Sequence, residues 1–311
     1  MAVVISQVFA TELVAGSVTA AVPLLLAGMG EQISEQAGVL NVGIEGMMLA
    51  GAYAGFVAAY DSGAMWAGFA CGAAAGAAVA CVMVLGCVRL ALNQIVVGIA
   101  LTLGLEGLTS LLHHFQFSRS YPLLPKAPDL AIPGLSAIPV LGPAVFSRHP
   151  LVYVALALCV FLAWMHRATF LGLDLAAAGE KPAALDAAGV DVVAIRTAAV
   201  LSTGALAGLG GAYLSEVGAG IFVPFMTNGA GFIGIVLAML ARGRPLRVLA
   251  GALLFGACLS ATTALQVLGV NIPTDIIQML PFAMVMLVLV AFGRRASLPA
   301  ALGLPYRRGS R

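Results

Sequence analysis

Long windows free of charge constrain this chain more than any other feature. There are 18 uncharged residues between Glu12 and Glu31, 27 between Asp61 and Arg89, and 19 between Arg196 and Glu216. A helix needs about 20 mostly apolar residues to cross bilayer hydrocarbon, so each window has room for one crossing. Further windows run over 46–60, 90–105 with a continuation past Glu106 to Leu112, 150–165, 217–241, 248–274 and 276–293. The reading is nine spans, with eight and ten as the neighbouring counts. Composition agrees: 15 Lys and Arg and 13 Asp and Glu make up only 9% of 311 residues, whereas about a quarter of an average soluble domain is charged. With 61% apolar residues and a mean hydropathy of +1.06, a water-soluble globular fold is excluded, and an all-α polytopic membrane protein is expected. The net charge of +2 is small, and no Lys/Arg run is interleaved with aromatics, which sets nucleic acid aside.

Positive residues stay mostly on the cytoplasmic side. A cytoplasmic C-terminus places 12 of the 15 Lys and Arg inside; Arg119, Lys126 and Arg148 fall in the Pro-rich segment 114–149, which becomes an external loop with room for a short interfacial helix. Nine spans then put the N-terminus outside; it lacks a positive leader region and a clear cleavage site, so it does not read as a cleaved signal peptide. The longest cytoplasmic loop is 167–196 and the tail is 294–311. The five cysteines lie in apolar stretches, and the four histidines show no metal-ligand spacing. Gly51-x3-Gly55, Gly68-x3-Gly72-x3-Gly76 and Gly204-x3-Gly208 are small-residue faces of the kind that let membrane helices approach closely.

Polar residues interrupt the apolar pattern most densely over 28–55, where Glu31, Glu35, Asn41 and Glu45 stand among Gly38, Gly43 and Gly46. Ionisable groups at membrane depth normally face a cavity or one another, and glycine breaks mark backbone leaving helical geometry there. A buried role is favoured for Asn41 and Glu45; Glu31 and Glu35 divide between pathway lining and a solvated cytoplasmic turn. A second polar set is Asn93, Gln94 and Glu106, then Glu216, Thr227 and Asn228, then Gln266, Asn271, Asp275 and Gln278. Glu216 and Asp275 sit at span ends and read equally as interfacial caps. Glu106 falls inside a span, where a carboxylate is expected to protonate or to find a donor across a helix interface. In the loop 167–196, Pro182 opens and Gly189 closes a short helix, PAALDAA, whose alanines offer a small-residue surface suited to a partner groove or, equally, to solvent.

Four strings in series, ISEQAGVLNVGIEGMMLAGAYAG, GLDLAAAGEKPAALDAAGVDV, GALAGLGGAYLSE and GVNIPTDIIQMLP, cover about residues 28 to 290. Together they resemble the permease subunits of bacterial ABC importers in the branched-chain amino acid/ribose permease superfamily, closest to its simple sugar and nucleoside branch. The resemblance implies a single transmembrane permease domain over 1–311 in the bacterial cytoplasmic (inner) membrane. It also implies a second permease subunit, two copies of an ABC ATPase subunit that bind ATP and Mg, and an external substrate-binding protein. The cytoplasmic coupling helix of such importers matches Gly179, Glu180, Lys181, Pro182, Ala183, Ala184, Asp186, Ala187 and Gly189, although Lys181 stands where family members often have Asn.

No G-x4-G-K-[ST], H-E-x-x-H or G-x-S-x-G motif occurs, so the chain is expected to be a non-catalytic subunit with no cofactor and no metal, driven from outside. The expected substrate pathway is lined by Asn41, Glu45, Asn93, Gln94 and Glu106, for a nucleoside or related simple sugar. The competing reading is a proton- or sodium-coupled secondary transporter with Glu45 or Glu106 as the titrating carboxylate, for which the sequence offers no convincing inverted repeat.

Overall fold

The charge-free windows fold as helices, and glycine decides how closely they lie. The computed structural model describes residues 2–267, 279–292 and 298–306. Its helices are α1 (Ala2–Gln36), α2 (Ile44–Ser62), α3 (Met65–Met83, continued by a π turn over Val84–Arg89), α4 (Gln94–Phe117), α5 (Leu141–Val145) and α6 (Pro150–Ala168). After them come α7 (Phe170–Glu180), α8 (Pro182–Ala187), α9 (Val192–Tyr213, continued by a π turn over Leu214–Ala219), α10 (Ala230–Ala241), α11 (Pro245–Val267) and α12 (Leu280–Phe292). Among the described residues, 6 helices are long and apolar enough to cross a membrane: Thr11–Gln36, Met65–Arg89, Gln94–Phe117, Pro150–Ala168, Val192–Ala219 and Pro245–Leu265. Three more occupy the remaining windows: α2 with 19 residues and a carboxylate near each end, α10 with 12 and α12 with 13. The GVNIPTD stretch (269–275) and Gln278 lie outside the described residues, as do Arg294, Arg295, Arg307, Arg308 and Arg311.

Two windows fold differently from the simplest expectation. The stretch 217–241 holds no continuous span: the chain leaves α9 through the π turn, runs without regular helix over 220–229, and turns helical again only at Ala230. Gly220 and Gly229, with φ of +69° and +83°, and Pro224 between them break the hydrogen-bond ladder. The loop 167–196 contains two helices rather than one, because Thr169 caps α7 by accepting from the Gly172 N–H at 3.3 Å.

Helix α1 is the hub. It packs against α9, α10 and α11, and its Leu24, Leu25, Leu26 and Met29 are fully enclosed. Beside it, α2, α3 and α9 form a three-helix seam in which the glycines noted in the sequence face one another. A Cβ on Gly208 would overlap the Gly72 carbonyl, one on Gly76 the Gly204 carbonyl, and one on Gly211 the Met48 carbonyl. Between helices in lipid, where apolar burial drives nothing, such contact is the source of cohesion. Gly51 and Gly55 lie against Gly208 and Ala212, so α2 runs parallel to α9, while Gly68, Gly72 and Gly76 meet α9 in reverse order.

The segment after α4 is pinned by a two-residue strand pair, Leu130↔Arg148 and Ala131↔Ser147, and by the one-turn α5. His149 follows it and caps α6, its Nδ1 accepting from the Leu151 N–H at 3.2 Å. The ring is boxed in by Trp66, Phe69 and Tyr213.

Two outcomes test this packing. Gly208→Leu should abolish the seam, since overpacking a tight core costs about 1–3 kcal/mol even where neighbours can shift, and here they are backbone; monodisperse protein in detergent should be lost. Gly104→Leu, with open space around the glycine, should behave as wild type. Burial holds the His149 pKa below its ordinary 6.5, against the opposing pull of Asp129. As pH falls through about 6.5 the unfolded chain takes the proton first, so stability should drop on acidification. Melting temperature should fall less steeply between pH 7 and 5 in His149→Asn.

Candidate functional site

Two irregular stretches of backbone, 37–43 and 220–229, determine where polar side chains collect. The first begins as the C-terminal stop of α1: Gly38, at φ +86°, donates to the Glu35 carbonyl at 2.9 Å, Val39 donates to the Ser34 carbonyl at 2.9 Å, and the Ser34 hydroxyl donates back to the Val39 carbonyl at 2.9 Å. Beyond that turn the backbone has no helical partner, and side chains supply acceptors. The Leu40 N–H donates to Gln94 Oε1 at 2.8 Å and the Asn41 N–H to Glu31 Oε1 at 3.0 Å. Asn41 is fully enclosed; its amide donates to the Met47 sulfur at 3.3 Å and its Oδ1 has no partner.

The second stretch ends at the N-terminus of α10, and there Glu45 closes it. Glu45 Oε1 accepts from the Gly229 N–H at 2.8 Å and Oε2 from the Gly231 N–H at 2.6 Å. Gly231 is required by close approach, since a Cβ would run into the Glu45 backbone. The N-termini of α2 and α10 therefore meet at one carboxylate, and the positive ends of two helix dipoles point into the same small volume. By the parallel register of α2 and α9, Glu45 lies about midway along α9, about 9 Å along the helix from Arg196 at the rise of an α-helix. Thr227 is buried in the loop leading to this point, and Asn228 there holds φ +43°.

Four polar side chains in the last two turns of α1, Glu31, Gln32, Glu35 and the half-buried Gln36, are drawn into the interior as well. Glu31, Gln32 and Glu35 are 0%, 1% and 4% exposed, which removes the solvated-turn alternative for the two glutamates. Glu31 Oε2, both amide atoms of Gln32, Glu35 Oε2 and Gln36 Oε1 have no hydrogen-bond partner in the protein. Unpartnered buried polar atoms are costly, so a cluster of them marks a place built for water, substrate or a second arrangement.

The expected pathway residues thus separate. Asn41, Gln94 and Glu31 converge on the 37–43 linker, and Glu45 stands beside them at the start of α10. Asn93 is exposed and serves as the N-cap of α4, accepting from the Ile95 and Val96 N–H groups at 3.0 and 3.2 Å. Glu106 is half-buried on α4, 12 residues and about 18 Å beyond Gln94, and is not part of that cluster. Glu216 is no interfacial cap: it is 1% exposed within the π turn after α9, against Gly55 and Gly68, with both carboxylate oxygens unpartnered. In the sequence Glu216 stands among the polar interruptions, with a cap left open as its role; the one local sign of its burial is a carboxylate following a small-residue face.

The other expected element lies at the far end of α9. Lys181, at φ −144° and ψ 69°, breaks α7 from α8, and Pro182 takes the first position of α8. Leu185 anchors the turn by packing with Ala178 and Val192, and Gly189, at φ +89°, ends it. Glu180, Lys181, Ala183, Ala184, Ala187 and Gly189 are exposed, Pro182 and Asp186 are half-buried, and Gly179 is buried against the Gln36 carbonyl. The result is a short helix with one anchored side and one bare alanine side.

Comparison with known proteins adds the chain's relations. Residues 13–289 match the family described as branched-chain amino acid transport system / permease component. The chain is 43% identical to the putative glucose ABC transporter permease protein TsgC13 of Haloferax volcanii, over 80% of this chain and 76% of that one. It is 30% identical to the guanosine ABC transporter permease protein NupQ of Bacillus subtilis, over 94% and 95% of the two chains. It is 32% identical to the nucleoside ABC transporter permease protein NupC of Lactococcus lactis, over 94% and 96%.

Removing the Glu45 carboxylate should uncap α10. Glu45→Ala leaves the half-buried Gly229 N–H and the buried Gly231 N–H unpaired, the latter at about 1–3 kcal/mol. Amide exchange at residues 229–233 should accelerate relative to the rest of the chain, and Glu45→Gln, which keeps one acceptor, should fall between.

Proposed function

Because this chain belongs to the branched-chain amino acid transport system / permease component family, we propose that it is the transmembrane permease subunit of an ABC importer for nucleosides or a related simple sugar. The observation that carries this reading is the match across 13–289 together with likeness to nucleoside permeases along nearly the whole length of both chains. The protein is a multi-pass membrane protein, and its role is passage rather than covalent chemistry.

Energy arrives through partners. ATP and Mg are bound by ABC ATPase subunits, and the bare side of α8, with Ala183, Ala184 and Ala187 flanked by Glu180 and Lys181, seats in a groove of that partner. Small side chains there permit close approach, and the break at Lys181 lets α8 tilt without bending α7. A second permease subunit completes the pathway, and an external binding protein delivers the substrate.

Asn41, Glu45 and Gln94 supply its polar lining. Its centre is the meeting point of the α2 and α10 N-termini, where the Glu45 carboxylate accepts from the Gly229 and Gly231 N–H groups. The free Oδ1 of Asn41 offers an acceptor to a sugar hydroxyl or a base N–H. Asn41 is enclosed, so substrate reaches it only when a neighbouring element shifts, which supports a gate at the 37–43 linker.

The test is a complex of this chain with its partner subunits in proteoliposomes, supplied with labelled guanosine, other nucleosides or glucose. Ala184→Glu combined with Ala187→Arg should lower uptake at least tenfold and bring substrate-stimulated ATP hydrolysis to its basal level. Unchanged uptake and hydrolysis would rule α8 out as the docking element. Ion-gradient-driven accumulation by the chain alone would favour a secondary carrier instead.

A further inference from the structure

Arg196 is among the few buried charges, 3% exposed near the start of α9. Among the described residues it forms no ion pair; backbone carbonyls hold it instead. Its Nη1 donates to the Leu304 carbonyl at 2.8 Å and its Nη2 to the Ala178 carbonyl at 3.2 Å. The same Nη2 fills the space a side chain on Gly38 would need. Backbone bonds close the ring around it: Ala301 N–H to the Gly179 carbonyl at 2.8 Å and Gly303 N–H to the Gly38 carbonyl at 3.1 Å. Gly179 in turn lies flush on the Gln36 carbonyl. Three segments far apart in sequence, 36–38, 178–179 and 301–304, therefore meet around one guanidinium, which bonds the latter two and lies against the first.

We infer that Arg196 and the strap 301–304 are a mechanical linkage that carries displacement of α7 and α8 to the α1–α2 linker. This rests on the permease reading above. Ala178 and Gly179 end the helix from which α8 departs, and Gly38 is the turn from which the chain climbs to Asn41, three residues on. A planar guanidinium presents donors in a fixed fork, so it holds two carbonyls in register where a flexible ammonium would hold one.

A second observation points to another arrangement of the same parts. Arg196 Nε, Gln36 Oε1, Glu35 Oε2 and Thr197 Oγ1, on the segments meeting at this ring or beside them, are buried and unpartnered. Donors and acceptors left idle in one arrangement have partners to gain in a shifted one. Arg196 is a positioning residue: it touches no substrate and acts through Gly38.

The experiment compares uptake per ATP hydrolysed in the assembled complex. Arg196→Met should lower that ratio at least tenfold while basal hydrolysis and assembly persist, and Arg196→Lys should recover part of it. A purely structural role would reduce the yield of complex but leave the ratio of the assembled fraction at the wild-type value; that result overturns the linkage. Should Arg196→Met fail to assemble, amide exchange in the wild-type complex decides. On ATP binding with hydrolysis blocked, Ala301, Gly303, Leu40 and Asn41 should change protection together with α8; change confined to α8 also overturns it. A wild-type complex with no ATP-driven uptake would instead refute the permease reading.

Discussion

Backbone polar groups inside hydrocarbon must find partners within the protein, and that requirement organises this molecule. Where α1 gives way to α2 and where α9 gives way to α10, the chain abandons the helix, and the liberated N–H groups need acceptors. Glu31, Gln94 and Glu45 provide them, each reaching across from another element. Charged and amide side chains that would be costly alone are thus fixed by the irregular backbone, and the irregular backbone by them. The polar interior follows from the breaks rather than being added to them.

Close glycine contact supplies the complementary rigidity. The α2, α3 and α9 seam leaves no room for a methyl group at its centre, so these helices move as a block. The 37–43 linker, the short α10, and α7 with α8 lie outside that seam. The proposed pathway and docking roles fall on these pieces, of which the linker and α7 meet around Arg196.

The sequence displays helix positions well, because the absence of charge over some 20 residues has one physical explanation. The α8 turn is also legible, since Pro182 and Gly189 are local signals whose geometry does not depend on the rest of the fold. What hydropathy does not reveal is direction. Glu31 and Glu35 look the same whether they face water or a closed interior, and their burial depends on α9 and the 37–43 linker packing over them. Glu216 is hidden for the same reason: Gly68, distant in sequence, makes the space it occupies. The break over 220–229 escapes a window count because Phe222, Val223, Phe225 and Met226 are as apolar as a span, and only glycine and proline placement betrays the turn. Asn93 and Glu106 qualify as pathway residues by type, but the rotation of α4 sets one at its cap and the other well away from the linker.

The shortness of α10 bears on how the protein is made. Twelve residues extend about 18 Å, well below the hydrocarbon thickness, so this segment has little capacity to hold itself in a bilayer as it leaves the ribosome. Its depth is set by a carboxylate synthesised 184 residues earlier, which receives the amide of Gly229. Biogenesis therefore has a required order: the amino-terminal helices must already be inserted and paired before the later segment can settle, and a fault in the first hairpin would surface as misplacement of a distant one.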